Sequence, residues 1–262
     1  MESPIPVTSA EIHVWLAFYD QIGEARLHDA YRELLSTEER AQERRFHFAR
    51  DRRRYLVTRA LVRTVLSRYI SVDPEQCMFR PNAYGRPDIV NAEAAASGLS
   101  FNVSHTHSLI VLAVTQGREL GVDVENAVAR AAPLDVADRY FAPREMAVLN
   151  SAPSHERQHR FFEYWTFKES YIKARGMGLS LPLDKFSFHY PDDRAVEIAI
   201  DPELEDDAAR WQFWQFRPTP EYLVALCAER VGTRSPKVVA RTIVPLVSEE
   251  LFTPEFPRTS PS

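Results

Sequence analysis

Long apolar runs are missing from this chain: the longest, such as Tyr222 to Ala228 and Leu109 to Val114, reach about seven residues, against the roughly 20 that a membrane-spanning helix needs. No transmembrane helix and no membrane partner are expected. Cysteine is nearly absent as well. Cys77 and Cys227 lie far apart without metal-ligand spacing, so both are expected as small buried hydrophobes. There is no basic excess, since 32 Lys and Arg against 37 Asp and Glu give a formal charge of -5. That argues against a general nucleic-acid binder, which depends on accumulated cations. The start, MESPIPVTSAEIHVWLAF, has no basic opening and carries Glu2 and Glu11, a poor secretory signal, so a cytoplasmic location is expected. No internal repeat is evident by eye.

What is present is ordinary for a globular protein: 262 residues, 45% hydrophobic and 26% charged. That length suits one large domain or two of about 100 to 130 residues, either able to bury a core. Charge is spread unevenly. Residues 36 to 68 hold ten arginines against four acids, while the first 117 residues balance 14 basic with 14 acidic side chains. One cationic patch therefore stands in a chain that is net acidic beyond it.

Hydrophobic patterning predicts a strand over 11–18, helices over 27–35 and 37–69, strands over 99–103 and 109–115, and a further strand over 120–125. Ser36 or Thr37 before Glu38 and Glu39 is a suitable N-cap with acids in the first turn. Tyr84-Gly85-Arg86-Pro87 reads as a defined turn. A helical region spans 134–150, broken at Phe141-Ala142-Pro143, where Pro143 suits the start of a new helix. Residues 161–175 form the clearest helix, with Gly176 as a left-handed C-cap. Runs at 186–189, 196–200, 211–216 and 222–228 suggest an antiparallel sheet. After about residue 240 the proline-containing segment is expected to be loosely held.

Two groups of residues can do chemistry. In Gly121-Val122-Asp123-Val124-Glu125, strand alternation turns Asp123 and Glu125 to one side and the valines to the core. Converging carboxylates suit a hard divalent ion such as Mg²⁺, which takes few protein oxygens and leaves positions for phosphate; the plain alternative is a strand edge with unrelated acids. In the 161–175 helix, Phe162, Trp165, Glu169 and Lys173 follow helical spacing, giving an apolar face with a carboxylate and an ammonium. Alone, Glu169 and Lys173 read as an ordinary helix ion pair. Beside the D-x-E strand they offer a third metal carboxylate and a cation for phosphate. Lys168, adjacent on the helix, is expected to point elsewhere and to matter less.

The combination of GVDVE, then 46 residues from Asp123 to Glu169, then WTFKESYIKARGMGLSLPL resembles the signature of the 4'-phosphopantetheinyl transferases, in the larger two-lobed type that activates peptide and polyketide synthases. Upstream, Phe101-Asn-Val-Ser-His105 and Tyr84-Gly-Arg-Pro87 resemble motifs of the same family, and the arginine-rich helix with Arg54 falls in the expected order. The resemblance extends over roughly residues 34 to 188. It implies an α+β protein of two similar α/β lobes related by a pseudo-twofold axis. Residues 1–117 would form the lobe for the adenosine and 3'-phosphate end of coenzyme A, 118–240 the magnesium and catalytic lobe, and 241–262 a loose tail. The implied reaction moves the 4'-phosphopantetheine arm of coenzyme A to a serine of an apo acyl or peptidyl carrier protein, releasing adenosine 3',5'-bisphosphate.

By the same resemblance, Asp123, Glu125 and Glu169 hold Mg²⁺ and Lys173 contacts the diphosphate. Arg54, Arg86, Ser104 and His105 hold the coenzyme, with Asn102 among them or positioning the turn. Glu169 is the preferred base for the carrier serine and Glu125 the competing one. Where the family pattern has further lysines, this chain has Glu39 and Gln42. Successive helical residues point around the cylinder, so Arg50, Arg52, Arg53 and Arg54 cannot all meet one ligand. A zinc reading of His105 and His107 lacks further ligands. Ser170 to Lys173 also fits the S-x-x-K of serine β-lactamases, but the partner motifs are absent. A metal-dependent phosphohydrolase and a catalytically silent carrier-binding module are the remaining alternatives. A monomer is expected, because one chain supplies both lobes.

Overall fold

The computed structural model describes residues 5–129 and 131–261. The chain opens with β1 (Glu11–Phe18), α1 (Ala25–Leu34), α2 (Thr37–Arg45) and α3 (Ala49–Ile70). The hairpin β2 (Phe79–Pro81) and β3 (Pro87–Ile89) follows, then α4 (Ala92–Ser97), β4 (Leu99–His105) and β5 (Leu109–Gln116). The second half begins with β6 (Leu120–Asn126), α5 (Leu134–Tyr140), α6 (Pro143–Ser151) and α7 (Ser154–Arg175). It continues through the hairpin β7 (Phe186–His189) and β8 (Glu197–Ile200) to β9 (Trp211–Phe216) and β10 (Tyr222–Glu229), and closes with β11 (Lys237–Val244), β12 (Ser248–Phe252) and β13 (Arg258–Thr259). The protein is α+β. Both cysteines are buried and free. Among the described residues no helix is long and apolar enough to cross a membrane.

Strand alternation sets the layers. On β1, Trp15 and Ala17 pack under α3, while Ile12, Val14 and Leu16 face the other way. On β6, Leu120, Val122 and Val124 enter that same inner core, and the residues between them face α7. Two sheets, ordered β12-β11-β1-β5-β4 and β13-β9-β10-β6, thus pack face to face through the inner cluster. Helix α3 covers one and α7 the other. Fully burying each Leu, Val or Phe of these three clusters contributes roughly 1.5–3 kcal/mol.

One order of parts occurs twice. A strand, two short helices, a 22-residue helix, a small hairpin and a longer antiparallel hairpin follow one another in each half. In each, the last strand pairs antiparallel with both the first and the middle one, giving β1-β5-β4 and β6-β10-β9. The repeat is invisible to the eye in the sequence because the matching positions carry different side chains.

Three expectations need correction. The helix expected over 37–69 is two helices, with Phe46 and Phe48 extended between them. A straight helix would carry Glu39 about 36 Å from Arg63; folding α2 back lets Glu39 pair with both Arg59 and Arg63 and lets Phe46 pack on Tyr55. Helix α7 starts at Ser154 rather than 161, because its first two turns are polar and show no apolar period. The segment expected to be loose is built into both sheets as far as the description extends, residue 262 lying outside it. Strand β11 pairs parallel with β1, β12 pairs with β11, and β13 pairs with β9. Phe256 packs against Phe216, and the Tyr31 hydroxyl donates to the Pro245 carbonyl at 2.9 Å. The prolines sit between strands, so they interrupt no ladder.

Candidate active site

The two sheets meet at their edge strands, β4 and β6, and a row of polar side chains crosses the seam. Asn102 Oδ1 accepts from the Val122 N–H at 2.9 Å, satisfying an edge donor of β6. Ser104 Oγ donates to Asp123 Oδ1 at 2.9 Å. Thr106 Oγ1 donates to Glu125 Oε2 at 3.4 Å and accepts from the Asn126 N–H at 3.2 Å. These residues are two apart, so they share one side of the strand. Polar residues at period two in the run FNVSHT were the signal for Thr106, the one member that sequence reasoning missed.

Helix α7 closes the site from the other side, and Gly121 is what lets it approach. A Cβ there would lie 2.0 Å from the Ser170 carbonyl oxygen and 2.4 Å from the Ala174 nitrogen, so only glycine permits this backbone-to-backbone contact. Lys173 Nζ then reaches Asp123 Oδ1 at 2.7 Å and Ser104 Oγ at 2.8 Å. Lys173 therefore joins α7 to β6 and β4, and no Glu169–Lys173 ion pair forms among the described residues. Glu169 instead sits where burial, Asp123 and Glu125 disfavour its charge more than Lys173 supports it, and its pKa is pushed up to about 7.

The second oxygen of Asp123 is buried and has no hydrogen-bond partner. An orphaned carboxylate oxygen beside two more acids fits an oxygen-preferring cation. Among the described residues, no three acidic, histidine or cysteine groups form a ready-made metal cage. Mg²⁺ does not require one, because it is commonly held by one or two carboxylates with waters and substrate phosphates. The donor set therefore fits this ion.

The remaining expected residues line the approach. Arg86 extends from the β2–β3 turn, with Nη1 3.4 Å from Glu119 Oε2 and 3.4 Å from the Lys173 carbonyl. It borders a cavity of about 230 Å³ shared by Tyr84, Phe101, Asn102, Ile172, Lys173 and Gly176. Arg54, on the second turn of α3, pairs with Asp51 at 3.4 Å. The His105 ring is partly open to solvent, yet desolvation, Arg54 and Lys173 lower its pKa, which puts both cations within electrostatic reach of it. Glu39 turns into the α2–α3 packing and presents no charge to this approach.

Two further readings are decided by burial. Ser170 is fully buried and donates to the Phe167 carbonyl at 2.8 Å, which leaves no room for an acylated nucleophile. Lys168 does point away from the site, but it is no bystander. It is fully buried and bonded to Glu145 Oε2 at 2.8 Å and to the Leu183 and Phe186 carbonyls at 2.7 Å each.

Residues 119–227 match the family model described as 4'-phosphopantetheinyl transferase superfamily, and residues 24–117 match the one described as 4'-phosphopantetheinyl transferase, N-terminal. The chain is 38% identical over 231 residues to 4'-phosphopantetheinyl transferase HetI of Nostoc sp., covering 87% of this chain and 92% of that protein. It is 32% identical over 200 residues to 4'-phosphopantetheinyl transferase Sfp of Bacillus subtilis, covering 76% and 84%.

Proposed function

The chain belongs to the 4'-phosphopantetheinyl transferase superfamily, and from that premise we propose how its residues divide the work of moving phosphopantetheine from coenzyme A to the serine of an apo carrier protein. Asp123, Glu125 and Glu169 seat Mg²⁺. When bound, that ion would supply positive charge to neutralise the diphosphate. The observation that carries this reading is the Asp123 carboxylate, with one oxygen held by Lys173 and Ser104 and the other buried without a partner.

The carrier serine oxygen forms a bond to the β-phosphorus while the bond to the α-phosphate oxygen breaks, releasing adenosine 3',5'-bisphosphate. Lys173 stands beside the seam to stabilise charge on that leaving group. The serine proton goes to Glu169, with Glu125 as the competing base. Arg86, His105 and Arg54 hold the adenosine and 3'-phosphate end. Asn102 and Ser104 act at the same place chiefly by fixing β4 to β6. The functional division runs as residues 1–117 for the coenzyme and 118–240 for the metal, in a monomer working in the cytoplasm.

Incubation with coenzyme A, Mg²⁺ and an apo acyl or peptidyl carrier is expected to add about 340 Da to the carrier. Release of free phosphopantetheine with an unmodified carrier would replace the transferase with a phosphohydrolase. Binding without either product would leave only a carrier-binding module.

A further inference from the structure

Lys168 and Glu145 form an ion pair with both side chains fully buried. Glu145 Oε1 accepts from the Phe188 N–H at 2.8 Å, and Oε2 accepts from the Ala142 N–H at 2.9 Å as well as from Lys168. The three protons of the ammonium are matched by Glu145, the Leu183 carbonyl and the Phe186 carbonyl. One charge pair thus ties together α6, α7, the segment after α7, and β7. Stability alone explains its presence poorly, because apolar side chains of similar volume commonly replace a buried ion pair without loss. What such a pair supplies that apolar packing does not is one fixed rotation and register.

The first half contains the same device. Arg63 and Lys168 are each the fifteenth residue of a 22-residue helix. Glu39 and Glu145 are each at the third position of the preceding helix and accept from the N–H of its N-cap residue. Arg63 bonds Glu39 at 2.8 Å and the Pro74, Glu75 and Cys77 carbonyls at 2.8, 3.3 and 3.1 Å, much as Lys168 bonds Glu145 and two carbonyls beyond its own helix, although Glu39 also pairs with Arg59. An acid–cation anchor recurring at equivalent positions, fully buried in one half and nearly so in the other, points to a shared mechanical task.

Resting on the assignment of Glu169 and Lys173 to the transfer site, we infer that the Glu145–Lys168 pair is a positioning device for catalysis. It fixes the rotation of α7 about its axis, and so the seat of Glu169 and Lys173 against β6, without touching substrate. Residues 168 and 169 differ by about 100° around a helix, so a cation anchored at 168 sets the direction in which 169 and 173 project. Transfer depends on alignment to within a fraction of an ångström, and a displacement of about 1 Å costs on the order of 100-fold in rate. Glu39–Arg63 anchors α3 in the same way, but that helix carries Arg54 rather than the metal site.

The test compares Glu145→Gln/Lys168→Met with Glu39→Gln/Arg63→Met, both assayed well below their melting temperatures with coenzyme A, Mg²⁺ and an apo carrier. The first is expected to lower kcat roughly 10- to 100-fold with KM for coenzyme A within about threefold. The second is expected to raise that KM and keep kcat within about threefold. Amide exchange without substrate supplies a readout independent of activity: residues 169–176 should exchange faster in the first variant and remain native in the second. A kcat within twofold of wild type in the first variant, or equal losses of kcat in both, overturns the inference. Should the double variant fail to fold, Glu145→Gln alone must show the same kcat-specific loss at smaller size, and an unchanged kcat there also overturns it. Lys173→Ala runs in parallel. If it too leaves kcat intact, the assignment of the site has failed; if it alone loses kcat, only the positioning role has.

Discussion

Matching the two long helices end to end, and β5 to β10, sets each residue of the second half beside a counterpart in the first. Asp123 corresponds to Trp15, Glu125 to Ala17, Glu169 to Thr64 and Lys173 to Arg68. The acids thus occur once, although the scaffold for them occurs twice. Where Lys173 bonds Asp123, Arg68 lies over the Trp15 ring at 5.3 Å and pairs with Glu249 of β12. Where Gly121 lets α7 touch the strand backbone, its counterpart His13 places a ring between β1 and α3 and bonds Tyr69 at 2.7 Å. The fold thus tolerates either a carboxylate cluster or an aromatic and apolar filling between strand and helix. Only the close-packed version brings opposed charges to a seam with the other sheet.

The largest effect is expected from removing the acids of the second half. Asp123→Ala deletes the residue that meets both Lys173 and the orphaned position, and transfer is expected to fall by 1,000-fold or more, on the order of losing a metal's charge stabilisation. The protein should remain folded by circular dichroism; near-normal Mg²⁺-dependent rates would end the metal assignment. Lys173→Ala is expected to lower kcat about 100-fold, because leaving-group charge develops only in the transition state. A raised KM with unchanged kcat would mean that Lys173 binds ground and transition states equally.

Gly121→Ala tests the close approach itself. The new methyl meets backbone rather than a movable side-chain end, so α7 must shift. A stability loss of about 1–3 kcal/mol and a rate loss of about 100-fold should appear together in denaturation curves and transfer assays. His13→Ala, at the matching position, should cost similar stability through its lost bond to Tyr69 and leave kcat native. Arg54→Ala is a smaller change. If its guanidinium contacts the 3'-phosphate, preference for coenzyme A over dephospho-coenzyme A should drop roughly 10- to 150-fold in kcat/KM, whereas an unchanged preference removes it from the site.

Much of this was legible in the residues. The strands at 11–18, 186–189 and 211–216, the Gly176 cap and the break at Pro143 follow from local pattern, because alternation and capping are short-range. Asp123, Glu169 and Lys173 were visible as types at family spacings. Their partners were not, since Lys173 bonds a strand 50 residues away rather than Glu169 one turn away. Long-range pairing also hid the order of the last strands: β11 is defined by β1, more than 220 residues earlier. The anchor at Lys168 escaped notice because a lysine on a helix reads as solvated until its burial is known.

The smallest expected effect separates the halves by pH. Glu169 has a folded pKa of about 7 against an ordinary value of 4.5, chiefly from burial and then from Asp123, whereas its counterpart Thr64 does not titrate. A carboxyl that holds its proton more tightly folded than unfolded makes stability fall as pH rises from about 4.5 to about 7, and the loss is complete above that window. In metal-free protein, Glu169→Gln should remove this slope. The variant is then expected to be more stable than wild type at pH 8 by on the order of 1–3 kcal/mol, and equally stable near pH 4.5. Added Mg²⁺ should raise the wild-type melting temperature at pH 8 more than that of the variant, because the ion offsets the same crowded charge. Thermal melts of both proteins from pH 4.5 to 8 in chelator measure the difference directly, since all other titrating groups are shared. Parallel curves would show that Glu169 is not held in a strained, charge-crowded place.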